Sequence, residues 1–148
     1  MLQSVNASVW RDLLKKVYVC GSLRFTREIE ELEHRLKEEK IKHEASKRKN
    51  SHGIRGCLNK IDHADVVYVV DPEGYIGKSV AFNLGYAYAK NKQIYVMHVV
   101  DDPPVMDLIS GVLSLEELIE LIKKEPPPLR VNNSLEAIID LQFPSSVS

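Results

Sequence analysis

Glycine, serine and arginine come together in the segment Cys20-Gly21-Ser22-Leu23-Arg24, which has the chemistry of an anion site. Glycine lets a backbone turn sharply and approach a ligand, a serine hydroxyl forms hydrogen bonds, and a guanidinium matches phosphate or carboxylate. The helix predicted to follow would direct its amino terminus at the same anion. An ordinary strand-to-helix turn with a surface arginine has the same pattern, so both interpretations stay open.

Two carboxylates and two glycines lie in the loop predicted over residues 71–79, which reads Asp-Pro-Glu-Gly-Tyr-Ile-Gly-Lys-Ser. Asp71, at the end of a predicted strand, suits hydrogen bonds from a sugar hydroxyl or a base amine, and it also suits a helix cap or a turn. Gly74 and Gly77 permit a loop that wraps closely around a ligand. The final Gly-Lys-Ser resembles a Walker A loop, but Pro72 occupies the position of its first glycine, which excludes a P-loop.

Asn83 is a third candidate because it lies in the first turns of the helix predicted after this loop. That end of the helix faces the C-terminal edge of the predicted sheet. An amide inside a helix is mildly unfavourable, which favours a contact between Asn83 and a ligand. A buried amide that hydrogen-bonds nearby backbone is the alternative.

Alternating strands and helices are needed to bring these three segments together. Runs rich in Val, Ile and Tyr predict strands at residues 17–20, 41–44, 64–71, 93–100 and 111–113. Apolar residues at helical spacing predict helices at residues 8–16, 26–40, 54–63, 78–90, 115–124 and 134–141. The alternation predicts an α/β fold with a parallel sheet, and ligands in such sheets bind beyond the C-terminal ends of the strands.

The length predicts one domain over residues 1–148, with an N-terminal extension at 1–16 and a C-terminal extension at 125–148. The net charge of −1 provides no basic field that would recruit nucleic acid or an acidic membrane. The basic run Lys47-Arg48-Lys49 is interpreted as a solvated loop, with phosphate binding as the alternative.

Several classes of protein are excluded by what the sequence lacks. No apolar run has the length of a membrane span, so no membrane partner is predicted. The two cysteines are too few for a disulfide scaffold, which indicates reduced thiols and a cytoplasmic protein. The cysteines and the five histidines show no metal-ligand spacing, and no Gly-x-Gly-x-x-Gly motif follows the first strand, so neither a metal nor a cofactor is predicted.

Three of these segments, taken in order, resemble the nucleoside 2-deoxyribosyltransferase superfamily, which includes deoxynucleoside 5′-monophosphate N-hydrolases. The matching motifs are CGSLR at 20–24, ADVV leading into Asp71, and GYIGKS at 74–79 followed by LGYA at 84–87. The resemblance covers residues 17–100, and its specificity comes from the order and spacing of the motifs.

The resemblance implies a flavodoxin-like fold, that is, a three-layer doubly wound parallel sheet, and a homodimer or larger homo-oligomer. It implies cleavage or transfer at an N-glycosidic bond, in which a glutamate attacks the anomeric carbon and water or a second base resolves the intermediate. Ser22 and Arg24 then belong to the phosphate site, and Asp71 touches the substrate. The predicted substrate-binding residues are Gly21, Ser22, Arg24, Gly74, Tyr75, Gly77 and Ser79.

One departure from the family concerns the nucleophile, because the position before Leu-Gly-Tyr-Ala is Asn83 in this chain. An amide is a poor nucleophile, and loss of such a carboxylate typically slows a reaction by on the order of 10³-fold or more. Asp71 and Glu73 are the carboxylates that could replace it. Two functions therefore stay open: an N-glycosidase or deoxyribosyltransferase acting on a (deoxy)nucleoside or its 5′-monophosphate, and an inactive nucleotide-binding or sensing module. Nucleic-acid binding through the basic run ranks third.

Overall fold

Five short strands form a parallel sheet in the computed structural model, which describes residues 14–46 and 53–124. In chain order the strands of these residues are β1 (Val17–Cys20), β2 (His43–Ala45), β3 (Val66–Val69), β4 (Gln93–Val96) and β5 (Gly111–Val112). They lie in the spatial order β2-β1-β3-β4-β5, and each neighbouring pair is parallel. The predicted doubly wound sheet is therefore confirmed, with the strand order of flavodoxin-like folds.

Helices cover both faces of this sheet. They are α1 (Thr26–Glu38), α2 (Gly53–Asp62), α3 (Lys78–Ala89), α4 (Pro103–Met106) and α5 (Leu115–Lys124), with 3-10 turns at Leu23–Phe25 and Pro72–Gly74. Residues of α1 and α5 share one hydrophobic cluster with the sheet, and residues of α2 and α3 share a second cluster on the opposite face. The predicted three-layer architecture is thus confirmed. Among the described residues, no helix is both long and apolar enough to cross a membrane.

The strand side chains alternate between the two clusters, because successive residues of a strand point to opposite faces of a sheet. Val17 and Val19 of β1 join the cluster of α1 and α5, whereas Tyr18 and Cys20 join the cluster of α2 and α3. All residues of β1 and β3 are buried, as expected of strands covered on both faces. The alternation places the Cys20 thiol on the same side of the sheet as α3.

A capping box begins α5. The N–H of Ser114 donates to Oε1 of Glu117 at 3.1 Å, and the N–H of Glu117 donates to Oγ of Ser114 at 3.2 Å. These bonds satisfy two donors at the helix start, where no preceding turn supplies a carbonyl.

The strand predicted over residues 93–100 was too long, since β4 ends at Val96. The chain then leaves the sheet, and both His98 and Val99 are exposed. The carbonyl of Val99 packs against Gly74 so closely that a Cβ there would lie 2.1 Å from the oxygen. Only a glycine fits this contact, and its φ of +74° is also one that glycine adopts readily. Packing against this turn removes the apolar segment from the sheet.

Other differences lie at the edges of the described residues. The helix predicted at 8–16 is wrong for residues 14–16, which are not helical, and its remainder lies outside the described residues. The predicted helix at 134–141, the whole C-terminal extension at 125–148 and the basic run at 47–49 also lie outside them. The helix α4 was predicted only as a break after a strand. It begins at Pro103, where the N–H of Val105 donates to the Asp102 carboxylate at 3.4 Å.

Candidate functional site

The C-terminal ends of β1 and β3 form the switch point of the sheet. From β1 the chain passes through α1 to β2 on one side, and from β3 it passes through α3 to β4 on the other side. Ligands of open parallel sheets bind in the crevice between such diverging connections. The loops beyond these two strand ends begin at Gly21 and Val70, so they contain the first two segments predicted from the sequence.

A hydrogen bond joins the two loops across the switch point. The N–H of Ser22 donates to Oδ1 of Asp71 at 3.0 Å, and Asp71 is only 2% exposed. A Cβ on Gly21 would lie 2.9 Å from the same oxygen, so the close approach of the two loops requires glycine. The second carboxylate oxygen, Oδ2, has no hydrogen-bond partner among the described residues. Asp71 therefore positions the Gly21 turn through Oδ1, while Oδ2 is left with unused acceptor capacity within the described residues.

The carboxyl of Asp71 titrates close to neutral pH. Burial raises its pKa from 3.8 to about 6, because removal from water disfavours the charged form. The hydrogen bond from Ser22 and the charge of Arg24 lower the pKa, but by less than burial raises it. A carboxyl with such a pKa exchanges protons readily under physiological conditions, as general acids and bases do.

Asn83 lies on the inward side of α3 and is 2% exposed. Its Nδ2 donates to Sγ of Cys20 at 3.5 Å, while its Oδ1 has no partner among the described residues. A buried polar atom without a partner costs on the order of 1–3 kcal/mol, so a ligand that donates a hydrogen bond here would relieve that cost. The alternative role, in which the amide oxygen accepts from nearby backbone, has no support within the described chain.

A cavity of about 590 Å³, called here the Asn83 cavity, lies at the switch point and has the size of a small-molecule site. It is lined by six of the residues predicted from the sequence: Gly21, Ser22, Tyr75, Gly77, Ser79 and Asn83. Asp71 is not among the lining residues, but it accepts the N–H of Ser22, which is one of them. In the described part of the chain, no group of three or more His, Cys, Asp or Glu side chains is placed to hold a metal ion.

The amino end of α3 forms one wall of the Asn83 cavity. No side chain from the described residues caps this helix at Gly77, and both Lys78 and Ser79 line the cavity. Uncapped N–H groups, the positive end of a helix dipole and an ammonium group all attract anions. The hydroxyls of Ser22 and Ser79 add donors, so this end of the cavity suits a phosphate.

Arg24, Glu73 and Gly74 lie in a neighbouring groove of about 620 Å³, not in the Asn83 cavity. The Arg24 guanidinium stacks 4.6 Å from the ring centroid of Tyr75, a residue that lines both spaces. Glu73 is exposed and has a φ of 61°. The residues predicted from the sequence are therefore divided between two spaces, with the Tyr75 ring in common.

Sequence reasoning did not assign to the site seven residues that line the Asn83 cavity, namely Leu23, Ser46, Gly53, Ile54, Cys57, Lys78 and Val80. A signal existed for Ser46, because the C-terminal end of β2 belongs to the same edge of the sheet. No sequence pattern pointed to Ile54 and Cys57, because their position depends on how α2 packs over the sheet.

Comparisons with solved structures find the same fold in proteins of low sequence identity, whereas no protein-family model and no curated protein matches the sequence. A conserved protein from Enterococcus faecalis is similar with a TM-score of 0.56 and 17% identity, over 75% of this chain and 98% of that one. The CMP N-glycosidase BcmB of Clostridium botulinum is similar with a TM-score of 0.50 and 13% identity, over 75% and 100%. The NanR protein of Vibrio vulnificus, in complex with ManNAc-6P, has a TM-score of 0.54 and 12% identity, over 92% and 52%. At these identities the similarity concerns the fold.

Proposed function

We propose that this chain binds a nucleoside or a nucleoside 5′-monophosphate in the Asn83 cavity. The observation that carries the proposal is Asn83, which lines a cavity of suitable size and whose buried Oδ1 has no donor among the described residues. Sugar hydroxyls and base amines are donors of the required kind. Oδ2 of Asp71 is a second buried acceptor without a partner among the described residues, at the same switch point.

The cavity offers different chemistry to the different parts of such a ligand. The amino end of α3, with Lys78 and Ser79, receives the phosphate, and the two buried acceptors receive the sugar or the base edge. Ile54 and Tyr75 supply apolar and aromatic surface against which a base can pack. In this proposal the phosphate does not bind at Arg24, because Arg24 stacks on Tyr75 in the neighbouring groove.

Titration of the purified protein with a panel of common nucleosides and their 5′-monophosphates tests binding. A true ligand at 100 times its Kd stabilises the protein by about 2.7 kcal/mol, which is visible as a rise in Tm. Asn83→Ala should weaken binding at least tenfold, whereas Asn59→Ala, the same change at an exposed position of α2, should not. A panel with no change in Tm and no calorimetric heat would refute the proposal.

The position of the phosphate has a separate test. Lys78→Ala should weaken a monophosphate more than the corresponding nucleoside, because it removes a charge from the cavity wall. Arg24→Ala should weaken both ligands equally or neither. If Arg24→Ala weakens binding of the monophosphate but not of the nucleoside, the phosphate binds at Arg24, as the family resemblance predicts.

A second candidate function is hydrolysis of the N-glycosidic bond, and the observation in its favour is the buried Asp71 with an unpartnered Oδ2. The CMP N-glycosidase among the similar structures identifies a reaction to test. Chromatography would detect free base released from the panel, and Asp71→Asn should abolish the release. Glu73 is a weaker candidate, because it lines the neighbouring groove. If the original protein releases no base but the Asn83→Glu variant does, the chain is a binding module that has lost the nucleophile.

The homo-oligomer implied by the family resemblance is also part of the proposal. Phe82 is 70% exposed on α3 and lines an apolar groove with Ile54, Leu58 and Tyr86. A second copy of the chain would bury this surface. Light scattering should give at least twice the mass of one chain, and Phe82→Glu should reduce it; a monomer at all concentrations would refute this part.

A further inference from the structure

A thiol belongs to the wall that α2 contributes to the Asn83 cavity. Cys57 is half-buried and lines the cavity together with Asn83, whose Oδ1 is buried and unpartnered within the described residues. We infer that Cys57 is a covalent modification site, at which a low-molecular-weight disulfide forms a mixed disulfide that occupies the ligand cavity. The chemistry of the site stands on its own, and its effect on binding rests on the proposed function.

Cys57 packs against the buried cluster that contains Tyr18. The hydroxyl of Tyr18 lies 2.7 Å from Oγ of Ser46, and Ser46 lines the same cavity as Cys57. Burial, the main cause, keeps the pKa of Tyr18 above its usual value, so the phenol stays protonated and can donate. The thiolate is the form of cysteine that attacks disulfides.

The second cysteine of the chain provides an internal control. Cys20 is fully buried at the end of β1, and burial raises the pKa of its thiol to about 12. A small disulfide cannot reach it in the folded protein, and it holds its proton at neutral pH. The two thiols therefore differ in access although they belong to the same layer of the fold, between the sheet and helices α2 and α3.

The reaction is thiol–disulfide exchange and needs no other reagent. The Cys57 thiol releases its proton to water, and its sulfur attacks one sulfur of the disulfide. A new S–S bond forms as the old one breaks, and the departing thiolate leaves with the electron pair of the broken bond. Among the described residues that line the cavity, Lys78 alone carries a charge, which favours an anionic disulfide over a cationic one.

Glutathione disulfide is the anionic probe, and cystamine is its cationic counterpart. The native protein is incubated with each, and peptide mass spectrometry measures the adducts on Cys57 and Cys20 over time. We expect the adduct on Cys57 at least tenfold faster than on Cys20, faster formation with glutathione disulfide, and comparable rates on both cysteines in denaturant. A saturating ligand from the nucleotide panel should slow the native reaction.

Nucleotide affinity is then measured for the adduct, after its reduction by dithiothreitol, and for treated and untreated Cys57→Ser. We expect at least a tenfold loss in the adduct, recovery on reduction, and no effect of treatment on Cys57→Ser. Equal labelling of both cysteines in the native protein, no labelling of Cys57, or an adduct that binds nucleotide normally would overturn the inference. Selective labelling of Cys57 in a protein that binds no nucleotide would instead refute the proposed function and retain the modification site.

Discussion

Asp71 provides a quantitative test of the electrostatics at the switch point. Its pKa rises from 3.8 to about 6 on folding, which corresponds to about 3 kcal/mol at about 1.36 kcal/mol per pKa unit. Below about pH 4 the carboxyl is increasingly protonated in both the folded and the unfolded chain, so it adds little difference. Above about pH 6 it is ionised in both, and the folded protein bears the full cost of a buried charge. The stability associated with the neutral carboxyl is therefore lost as the pH rises through this interval.

Asp71→Asn removes this ionisation and keeps an oxygen that can accept the N–H of Ser22. We compare the free energies of unfolding of the variant and the original protein at each pH. We expect the difference, variant minus original, to be about 3 kcal/mol larger near pH 8 than near pH 3. The new amide nitrogen at the position of Oδ2 costs on the order of 1–3 kcal/mol if it finds no partner, but it does so at every pH. Urea denaturation followed by circular dichroism over a series of pH values measures the difference.

Glu73→Gln is the matched control for this experiment, because it removes a carboxylate from an exposed position of the same loop. It reports the effect of one less negative charge on the surface. If the difference for Asp71→Asn is the same at all pH values, or if Glu73→Gln reproduces its pH profile, the attribution to burial of Asp71 is wrong.

Three further substitutions test the local packing and a helix cap. Gly21→Ala should lower the free energy of unfolding by about 1–3 kcal/mol, because its Cβ would lie 2.9 Å from Oδ1 of Asp71. Gly85→Ala should raise the free energy of unfolding by about 1 kcal/mol, as in an exposed helix, because its Cβ meets nothing within 4 Å. Equal effects in thermal denaturation would contradict this reasoning. Ser114→Ala should cost about 1 kcal/mol through loss of the bond to the Glu117 N–H, and an unchanged Tm would count against the capping box.

Much of the sheet was predictable because β1 and β3 are unbroken runs of β-branched and aromatic residues, which indicate strands covered on both faces. The end of β4 was not predictable in this way. The residues after Val96 are as apolar as the strand itself, and they leave the sheet because the Val99 carbonyl packs against Gly74. That contact joins loops that are distant in the sequence, and no local pattern encodes it.

The site was predictable where it depends on strand ends and less so where it depends on packing. Gly21 and Asp71 were identified because each follows a clear strand, and the parallel sheet brings such ends to one edge. The position of Arg24 in the neighbouring groove comes from its stacking on Tyr75. The presence of Cys57 in the cavity comes from the placement of α2, which hydrophobic periodicity alone cannot orient.

The hydrogen bond between Ser22 and Asp71 also limits when the crevice can form during synthesis of the chain. It joins groups 49 positions apart in the chain, and Asn83 follows later still. Chains leave the ribosome amino end first, so the Gly21 turn has no acceptor until β3 has emerged and paired. Under the proposed function, the ligand site is therefore incomplete until α3 has been made, and a ligand would stabilise only chains whose central strands have already assembled.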